Sequence, residues 1–176
     1  MKFSPTKLSG VWIVDLEPVE DERGFFARSW CQEEFKRRGL NPRLVQCNIS
    51  FSRKKGTLRG MHYQIAPHPE AKLVCCTRGA LFDVAVDLRP DSPTHKQWVG
   101  VELSAENRRA FYVPEGCAHG LQTLMDDTEV FYQMSEAYHP ESARGVRWND
   151  PAFNIAWPED KRSLSARDLA FPDYPC

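Results

Sequence analysis

Apolar residues along this chain occur in short runs that are separated by proline and glycine. The chain contains 13 prolines and 10 glycines, spread from end to end. Short apolar runs bounded by such residues are typical of β-strands and turns, and they argue against long helices. The strands predicted in this way cover residues 8–16, 44–52, 57–64, 71–78, 80–88, 97–103, 109–113, 120–123, 129–135 and 145–148.

Helical patterns are limited to two short segments. A helix is predicted over residues 32–38, because Gly39 and Pro42 follow it directly. A second helical turn is predicted over residues 165–169. Many short strands with frequent turns favour an all-β sandwich or barrel, and a barrel of this size can hold one small ligand at its mouth. Because no internal repeat or linker interrupts the pattern, residues 1–176 are interpreted as one domain.

Composition narrows the function classes. The 176 residues are 41% hydrophobic and 27% charged, as in an ordinary globular domain. The net charge is −1 and the isoelectric point is near 6.5, which argues against a nucleic-acid-binding protein. No apolar stretch approaches the roughly 20 residues that a membrane span requires. The first residues lack the apolar run of a signal peptide, so a cytoplasmic location is expected.

The cysteine pattern favours reduced thiols. None of the six cysteines forms a Cys-x-x-Cys pair. Cys75 and Cys76 are adjacent in a predicted strand, where neighbouring side chains point to opposite faces and do not share a metal. We therefore expect reduced, partly buried thiols that pack as small hydrophobic groups.

Three segments carry more polar chemistry than plain strands require. In residues 56–64, His62 shares a strand face with Leu58, Gly60 and Gln64, and Lys72 follows. In residues 114–120, proline and two glycines predict a loop that presents His119. In residues 129–135, Tyr132 aligns with apolar neighbours. Taken singly, each of these residues is more often a packing residue than a catalytic one.

Together these segments resemble the two half-motifs of the cupin superfamily. Gly56-x5-His62 matches the first half-motif, and Pro114-x-Gly116-x-x-His119 matches the second. Metal-binding cupins carry His-x-His followed by a glutamate, whereas this chain has Gln64 at the second histidine and its nearest acid is Glu70. Because a transition-metal site usually needs three or four good ligands, no metal is expected here.

A closer resemblance covers nearly the whole chain. It is similar to the dTDP-4-dehydrorhamnose 3,5-epimerase family in these segments: Asp21-Glu-Arg-Gly-Phe-Phe26, Leu58-Arg-Gly-Met-His-Tyr-Gln64, Ala71-Lys-Leu-Val74, Phe82-Asp-Val-Ala-Val-Asp87, Trp98-Val-Gly-Val-Glu-Leu-Ser-Ala-Glu-Asn107, Pro114-Glu-Gly-Cys-Ala-His-Gly120 and Val146-Arg-Trp-Asn-Asp-Pro151. The resemblance implies a jelly-roll β-barrel that epimerises a nucleoside-diphosphate 4-keto-6-deoxyhexose without metal or organic cofactor. It also implies a homodimer, often with an N-terminal strand exchanged between subunits.

The resemblance assigns catalytic roles by position. His62 matches the family's base, and a reference pKa near 6.5 suits that task. Asp168 matches the carboxylate that orients the base, with Asp83 as the competing candidate. Lys72 matches the cation beside the keto oxygen. Tyr132 matches the acid on the far face, and Tyr138 is the competing tyrosine.

The resemblance also assigns substrate contacts. Arginine forks bind phosphate with paired hydrogen bonds, which suits a diphosphate substrate. The residues that match substrate-binding positions are Arg23, Arg28, Gln46, Asn48, Arg59, His119 and Arg167. Arg167 stands where the family has lysine.

Two departures leave the substrate open. Arg28 replaces a family glutamate near the nucleotide, and Ile49 replaces a family histidine. A nucleotide other than dTDP, for example CDP, or inversion at one carbon instead of two, is one interpretation, and neutral drift is the other. A 3,4-ketoisomerase, a non-catalytic sugar-binding cupin and a metal-dependent cupin enzyme remain as rival hypotheses.

Overall fold

The computed structural model describes residues 1–175, which form two β-sheets packed face to face, a small hairpin and two short helices. The elements are β1 (Lys2–Pro5), β2 (Trp12–Asp15), β3 (Val19–Asp21), β4 (Gly24–Phe26), α1 (Gln32–Arg37), β5 (Gln46–Ser52), β6 (Leu58–Gln64), β7 (Lys72–Arg78), β8 (Ala80–Asp87), β9 (Trp98–Ser104), β10 (Ala110–Val113), β11 (Cys117–Thr123), β12 (Thr128–Met134), β13 (Ala143–Gly145) and α2 (Ala166–Leu169). Their order confirms the predicted all-β class with a few short helices.

The two main sheets are antiparallel and interleave strands that are distant in sequence. One sheet has the order β1-β2-β10-β7-β12-β5, and the other has the order β13-β6-β11-β8-β9. Strands that neighbour each other in a sheet are thus mostly far apart in the chain, as expected for the jelly-roll barrel. Apolar residues of both sheets meet between them, including Val74, Leu81, Phe111 and Val130. Two residues of this core, Leu121 and Val130, also line the site described below.

Most of the predicted strands are present, and the differences lie at the ends and at the N-terminus. The strand predicted over 8–16 is shorter, because a turn at residues 7–10 precedes β2. The pattern does not predict strand β1 or the hairpin β3–β4. The strand predicted over 145–148 lies earlier, at β13. Both predicted helices are confirmed; Ser165 caps α2 by accepting a hydrogen bond from the backbone N–H of Asp168 at 3.1 Å.

The predicted loop around His119 is wrong. Strand β11 begins at Cys117, directly after the turn in which Gly116 adopts a φ of 77°. From Cys117 onward the strand pairs with β8, and His119 lies opposite Ala85. Because hydrogen bonding to β8 continues through the glycine at position 120, the segment is a buried strand rather than a loop.

The thiols are largely as expected. Cys31, Cys47, Cys75, Cys76 and Cys117 are free, and Cys176 lies outside the described residues. Burial raises the pKa of Cys75 and of Cys76 to about 11. Cys47 is exposed, so the expectation of partial burial is wrong for that residue. No helix within the described part of the chain is long and apolar enough to span a membrane.

Gly60 provides a test of how tightly β6 and β11 approach each other. A Cβ atom at this position would lie 2.6 Å from Gly120 Cα and 2.9 Å from the His119 carbonyl oxygen, at a φ of 126°. We expect Gly60→Ala to lower the free energy of unfolding by about 3 kcal/mol through overpacking and backbone strain. Chemical denaturation measures this directly.

Gly24→Ala is the matched control for this prediction. Gly24 has a similar φ of 130° in the exposed hairpin, and a Cβ atom added there would have no neighbouring atom within 4 Å. Gly24→Ala therefore has the same unfavourable backbone conformation as Gly60→Ala but no steric clash of the added Cβ atom. Equal losses of stability in the two variants would show that the close approach of β6 and β11 is unimportant.

Candidate active site

The barrel contains a polar cleft made of two adjoining cavities, an inner one of about 280 Å³ and an outer one of about 170 Å³. Both cavities are lined by His62, Lys72, Tyr132 and Arg167. The inner cavity is also lined by Ser50, Arg59, His119, Leu121, Val130, Ser165 and Asp168. The outer cavity is also lined by Gln46, Asn48, Tyr63, Gln64, Glu70, Met134, Tyr138, Ala143 and Arg144. Nine of the residues predicted from the sequence thus lie in one cleft.

His62 lies on β6 and is held by a carboxylate from the C-terminal helix. Its Nε2 atom lies 2.7 Å from Asp168 Oδ1. Asp168 is buried and is fixed in turn by the Ser165 cap of α2. The ring of Phe171 packs edge-on against His62, with centroids 5.6 Å apart. Gly145 makes room for that ring, since a Cβ atom at Gly145 would overlap the ring atoms of Phe171.

The electrostatics of this pair set the tautomer of the imidazole. Burial raises the pKa of Asp168, but hydrogen bonds from His62 and Ser165 outweigh it, and the net pKa lies below the ordinary value. The ionised carboxylate can only accept hydrogen bonds, so Nε2 of His62 carries the proton. Nδ1 then has a free lone pair. The arrangement holds His62 as an oriented neutral imidazole with a free acceptor nitrogen.

The pKa of His62 itself lies below its ordinary value. Burial is the largest cause, and the nearby cation Lys72 also lowers the pKa. The hydrogen bond and negative charge of Asp168 act in the opposite direction. A lowered pKa favours the unprotonated imidazole at neutral pH, which is the form that can accept a proton.

A second histidine–aspartate pair lies beside the first. His119 Nε2 is 2.7 Å from Asp83 Oδ1, and both side chains are buried. His119 is the register partner of His62 across β11 and β6. Of the two aspartates that compete in the sequence for the role of partner, Asp168 contacts His62, and Asp83 contacts His119.

Lys72 forms a buried ion pair at the start of β7. Its Nζ atom lies 2.8 Å from Glu70 Oε1, and the side chains are only 10% and 6% exposed. Sequence reasoning does not place Glu70 in the site. The signal that could have found it is the i, i+2 spacing of Glu70 and Lys72, which puts both side chains on one face of an extended chain. The pair presents one fixed ammonium group to both cavities.

Tyr132 lies on the opposite wall from His62, because β12 and β6 belong to different sheets. Burial, with the negative charge of Glu70, raises the pKa of Tyr132 above its ordinary value. The phenol is therefore protonated at neutral pH. Tyr138 lines only the outer cavity and is 47% exposed.

The remaining polar residues of the cleft are braced by local hydrogen bonds. Arg59 donates to Ser52 Oγ at 3.3 Å and to the Phe51 carbonyl at 3.1 Å. Gln46 donates to Asn48 Oδ1 at 3.1 Å. With Lys72 and Arg167, the guanidinium of Arg59 gives the cleft a cationic lining despite the near-zero charge of the chain.

Three predicted positions lie outside the cleft of their own chain. Arg23 is on the β3–β4 hairpin, pairs with Asp21, and has an 84% exposed side chain. Arg28 pairs with Glu34 at 3.1 Å. Ile49 is 67% exposed and alternates on β5 with the less exposed Asn48 and Ser50, so its side chain points away from the cleft of its own chain. The expected substrate contacts of Arg23 and Arg28 therefore stay predictions.

Sequence comparison agrees with this geometry. Residues 5–175 match the family model described as dTDP-4-dehydrorhamnose 3,5-epimerase. The chain belongs to this family. The dTDP-4-dehydrorhamnose 3,5-epimerase of Methanothermobacter thermautotrophicus is 47% identical over 157 residues, which cover 89% of this chain and 84% of that protein. The family resemblance stated from the sequence is confirmed.

Solved structures of the family superpose closely on the chain. The dTDP-4-dehydrorhamnose 3,5-epimerase of Elizabethkingia anophelis has a TM-score of 0.96 at 41% identity, covering 99% of this chain and 96% of that one. The Legionella pneumophila enzyme, in complex with dTDP-4-keto-L-rhamnose, has a TM-score of 0.91 at 40% identity, covering 98% and 92%. These likenesses confirm the jelly-roll fold.

The chain is also similar to a relative that is named for epimerisation at a single carbon. A dTDP-4-dehydrorhamnose 3-epimerase of Streptomyces niveus is 40% identical over 169 residues, covering 96% of this chain and 81% of that protein. Epimerase chemistry is thus common to these relatives, whereas the number of inverted carbons differs among them.

Proposed function

We propose that this epimerase inverts carbons 3 and 5 of dTDP-4-keto-6-deoxyglucose, with His62 as base and Tyr132 as acid. The observation that carries the proposal is the placement of these two side chains on opposite walls of one cleft, with Lys72 lining both of its cavities. Inversion requires proton removal from one face of a carbon and proton return to the other. A base and an acid on opposite walls meet that requirement.

Each inversion proceeds through an enolate. The C4 ketone acidifies the hydrogens on C3 and C5. Nδ1 of His62 takes the proton, the C–H electron pair forms a C=C bond to C4, and the carbonyl electrons move onto the C4 oxygen. The Lys72 ammonium stabilises that oxyanion. The oxyanion then re-forms the carbonyl while the C=C electron pair takes the phenolic proton of Tyr132 on the opposite face of the carbon. The resulting phenolate and protonated His62 return to their starting states by proton exchange with water. No redox step occurs, so no electron carrier is needed.

The rest of the cleft suits a nucleotide sugar. Arg59 and Arg167 provide guanidinium donors of the kind that bind diphosphate oxygens, and His119 lines the same cavity. Gln46 and Asn48 provide neutral polar contacts along β5. We include these contacts between individual residues and parts of the substrate in the proposal.

The proposed active form is a homodimer in the cytoplasm. Val19, Phe25 and Phe26 on the β3–β4 hairpin are 72%, 44% and 77% exposed, an apolar surface that favours contact with another subunit. Such a contact would bring Arg23 of one subunit toward the cleft of the next. Free thiols at the described cysteines suit a reducing compartment.

A substrate panel tests the proposal. Chelator-treated protein would be given dTDP-, CDP- and GDP-linked 4-keto-6-deoxyhexoses, and each product would be reduced and identified. We expect the dTDP sugar to be turned over fastest and to be inverted at both carbons. Inversion at C3 alone would instead support the single-carbon reaction named for the Streptomyces niveus relative, and a carbonyl moved to C3 would support the ketoisomerase.

Asp168→Asn should change both rate and pH dependence. The amide of asparagine can donate to Nε2, which moves the imidazole proton to Nδ1 and blocks the base, so kcat should fall by about 10²-fold. Because Asp168 raises the pKa of His62, its removal lowers that pKa further. The acid limb of the kcat/KM profile should therefore move to lower pH. A limb that moves to higher pH, or an unchanged rate, would contradict the assigned pair.

Tyr132→Phe should separate proton removal from inversion. The variant keeps the ring and loses only the donor, so His62 can still form the enolate. We expect product formation to fall by about 10²-fold, while substrate protons still exchange with heavy water. Tyr138→Phe is the matched control and should retain inversion. If the Tyr138 variant loses inversion instead, the acid lies at the outer cavity.

A further inference from the structure

Two loops at the mouth of the cleft bring two histidines into direct contact. His68 lies between β6 and β7, and His139 lies between β12 and β13. Their imidazole rings stack with centroids 3.5 Å apart and planes 6° from parallel. Both side chains are about 30% exposed, and neither is used in the proposed reaction.

Two carboxylates adjoin the stacked rings. Glu136 offers an oxygen that lies within 4.8 Å of a nitrogen of each histidine, and those nitrogens are equally close to each other. Glu141 Oε1 lies 3.1 Å from Nδ1 of His139 and 3.9 Å from Nε2 of His68. Two imidazoles with carboxylates form a donor set that zinc and similar divalent ions favour.

The loops that carry these residues are tied together by Gln64. This buried side chain donates to the carbonyls of His68 and Ala137 at 3.0 and 3.1 Å, and it accepts from the backbone N–H of His139 at 2.7 Å. The backbones of both loops are thus fixed before any ligand binds. Preorganisation of this kind reduces the entropy that binding would otherwise lose.

We propose that His68, His139 and Glu136 form a binding site for a divalent transition-metal ion of the zinc class, outside the catalytic cleft. Ligands about 2.0–2.2 Å from a tetrahedral ion lie about 3.3–3.6 Å from one another. The three side chains therefore need to draw together by only about 1 Å. The rings also tilt out of their stack, since each nitrogen lone pair lies in the plane of its ring.

Neighbouring groups support this assignment. The carboxylate of Glu141 beside Nδ1 of His139 can hold the Nδ1 proton, which leaves Nε2 for the metal, as in many carboxylate–histidine–metal arrangements. The competing cation at Glu136 is Arg43, whose guanidinium lies 3.2 Å from Oε2. A carboxylate oxygen has more than one lone pair, so Glu136 can keep Arg43 and still ligate. A bound ion would fasten the loop that carries Tyr138 at the outer cavity.

The test uses chelator-stripped protein without a histidine tag. Zn²⁺ would be titrated by calorimetry, and Co²⁺ by its visible absorption bands. We expect about one ion per chain, and binding weakened by more than about tenfold in His68→Ala and in His139→Ala. The metal should also raise the Tm of the wild type, because it binds only the folded arrangement. It should not raise the Tm of the double variant.

Two histidine variants are the controls. His95 pairs with Tyr174 away from this cluster, and His62 lies in the cleft. His95→Ala and His62→Ala should both retain the ion. Loss of binding in His62→Ala with retention in His68→Ala would place the metal in the cleft and overturn the proposal. Binding equally strong in the His68 and His139 variants, or no binding at millimolar Zn²⁺, would overturn it as well. Unchanged Tm of the metal-free variants would establish that they fold.

Discussion

Replacing His62 with alanine should lower kcat by about 10³–10⁴-fold, the full contribution of a positioned general base. In the proposed mechanism, its Nδ1 atom accepts the proton at each inverted carbon. The variant loses the 2.7 Å contact to Asp168 and the packing against Phe171, so its free energy of unfolding is measured beside the rate to establish that it is folded. Steady-state kinetics with product analysis measures the effect.

His95→Ala is the matched control for this variant. His95 is also a partly buried histidine with one side-chain hydrogen bond, to Tyr174 at 3.1 Å, but it lines neither cavity. It should retain full activity. If His62→Ala keeps activity within tenfold of the wild type, His62 is not the base, and His119 becomes the candidate to test.

Lys72→Met should lower kcat by about 10²–10³-fold, as expected when one preorganised group at a developing oxyanion is removed. The same substitution leaves Glu70 as a buried carboxylate without its cation. Breaking a buried ion pair on one side costs about 3–5 kcal/mol of stability. The rate and the free energy of unfolding should therefore both fall.

A double variant separates the two effects. Glu70→Gln combined with Lys72→Met removes the uncompensated charge and should restore much of the stability, as measured by chemical denaturation. It should not restore the rate, because the ammonium group is still missing. If the double variant regains activity together with stability, Lys72 serves the fold rather than the enolate.

The barrel strands can be predicted because each combines an apolar face with turn residues at its ends. The segment 80–88 is one example, and it corresponds to β8. The β3–β4 hairpin cannot be predicted in this way. Its Val19 and Phe26 face outward in one chain, so no internal burial imposes a pattern on the segment. The pattern places His119 in a loop because proline and glycine are local signals, whereas pairing with β8 is a long-range one.

The site is predicted from family motifs more than from local pattern. His62 and Asp168 are separated by 106 positions, and nothing in their own segments indicates that they meet. The choice between Asp168 and Asp83 as partner of His62 depends on which element packs over β6. That packing is part of the tertiary structure and cannot be inferred from local sequence patterns. The contact of His68 with His139 also arises only from the fold, because Gln64 joins two loops that are distant in sequence.

Proton exchange in heavy water tests the central claim most directly. Chelator-treated protein would be mixed with dTDP-4-keto-6-deoxyglucose in D₂O, and the substrate and product followed by NMR. The account predicts deuterium at both C3 and C5 with the wild type, and at neither carbon with His62→Ala. Deuterium at both carbons with His62→Ala, or none with the wild type, would contradict it.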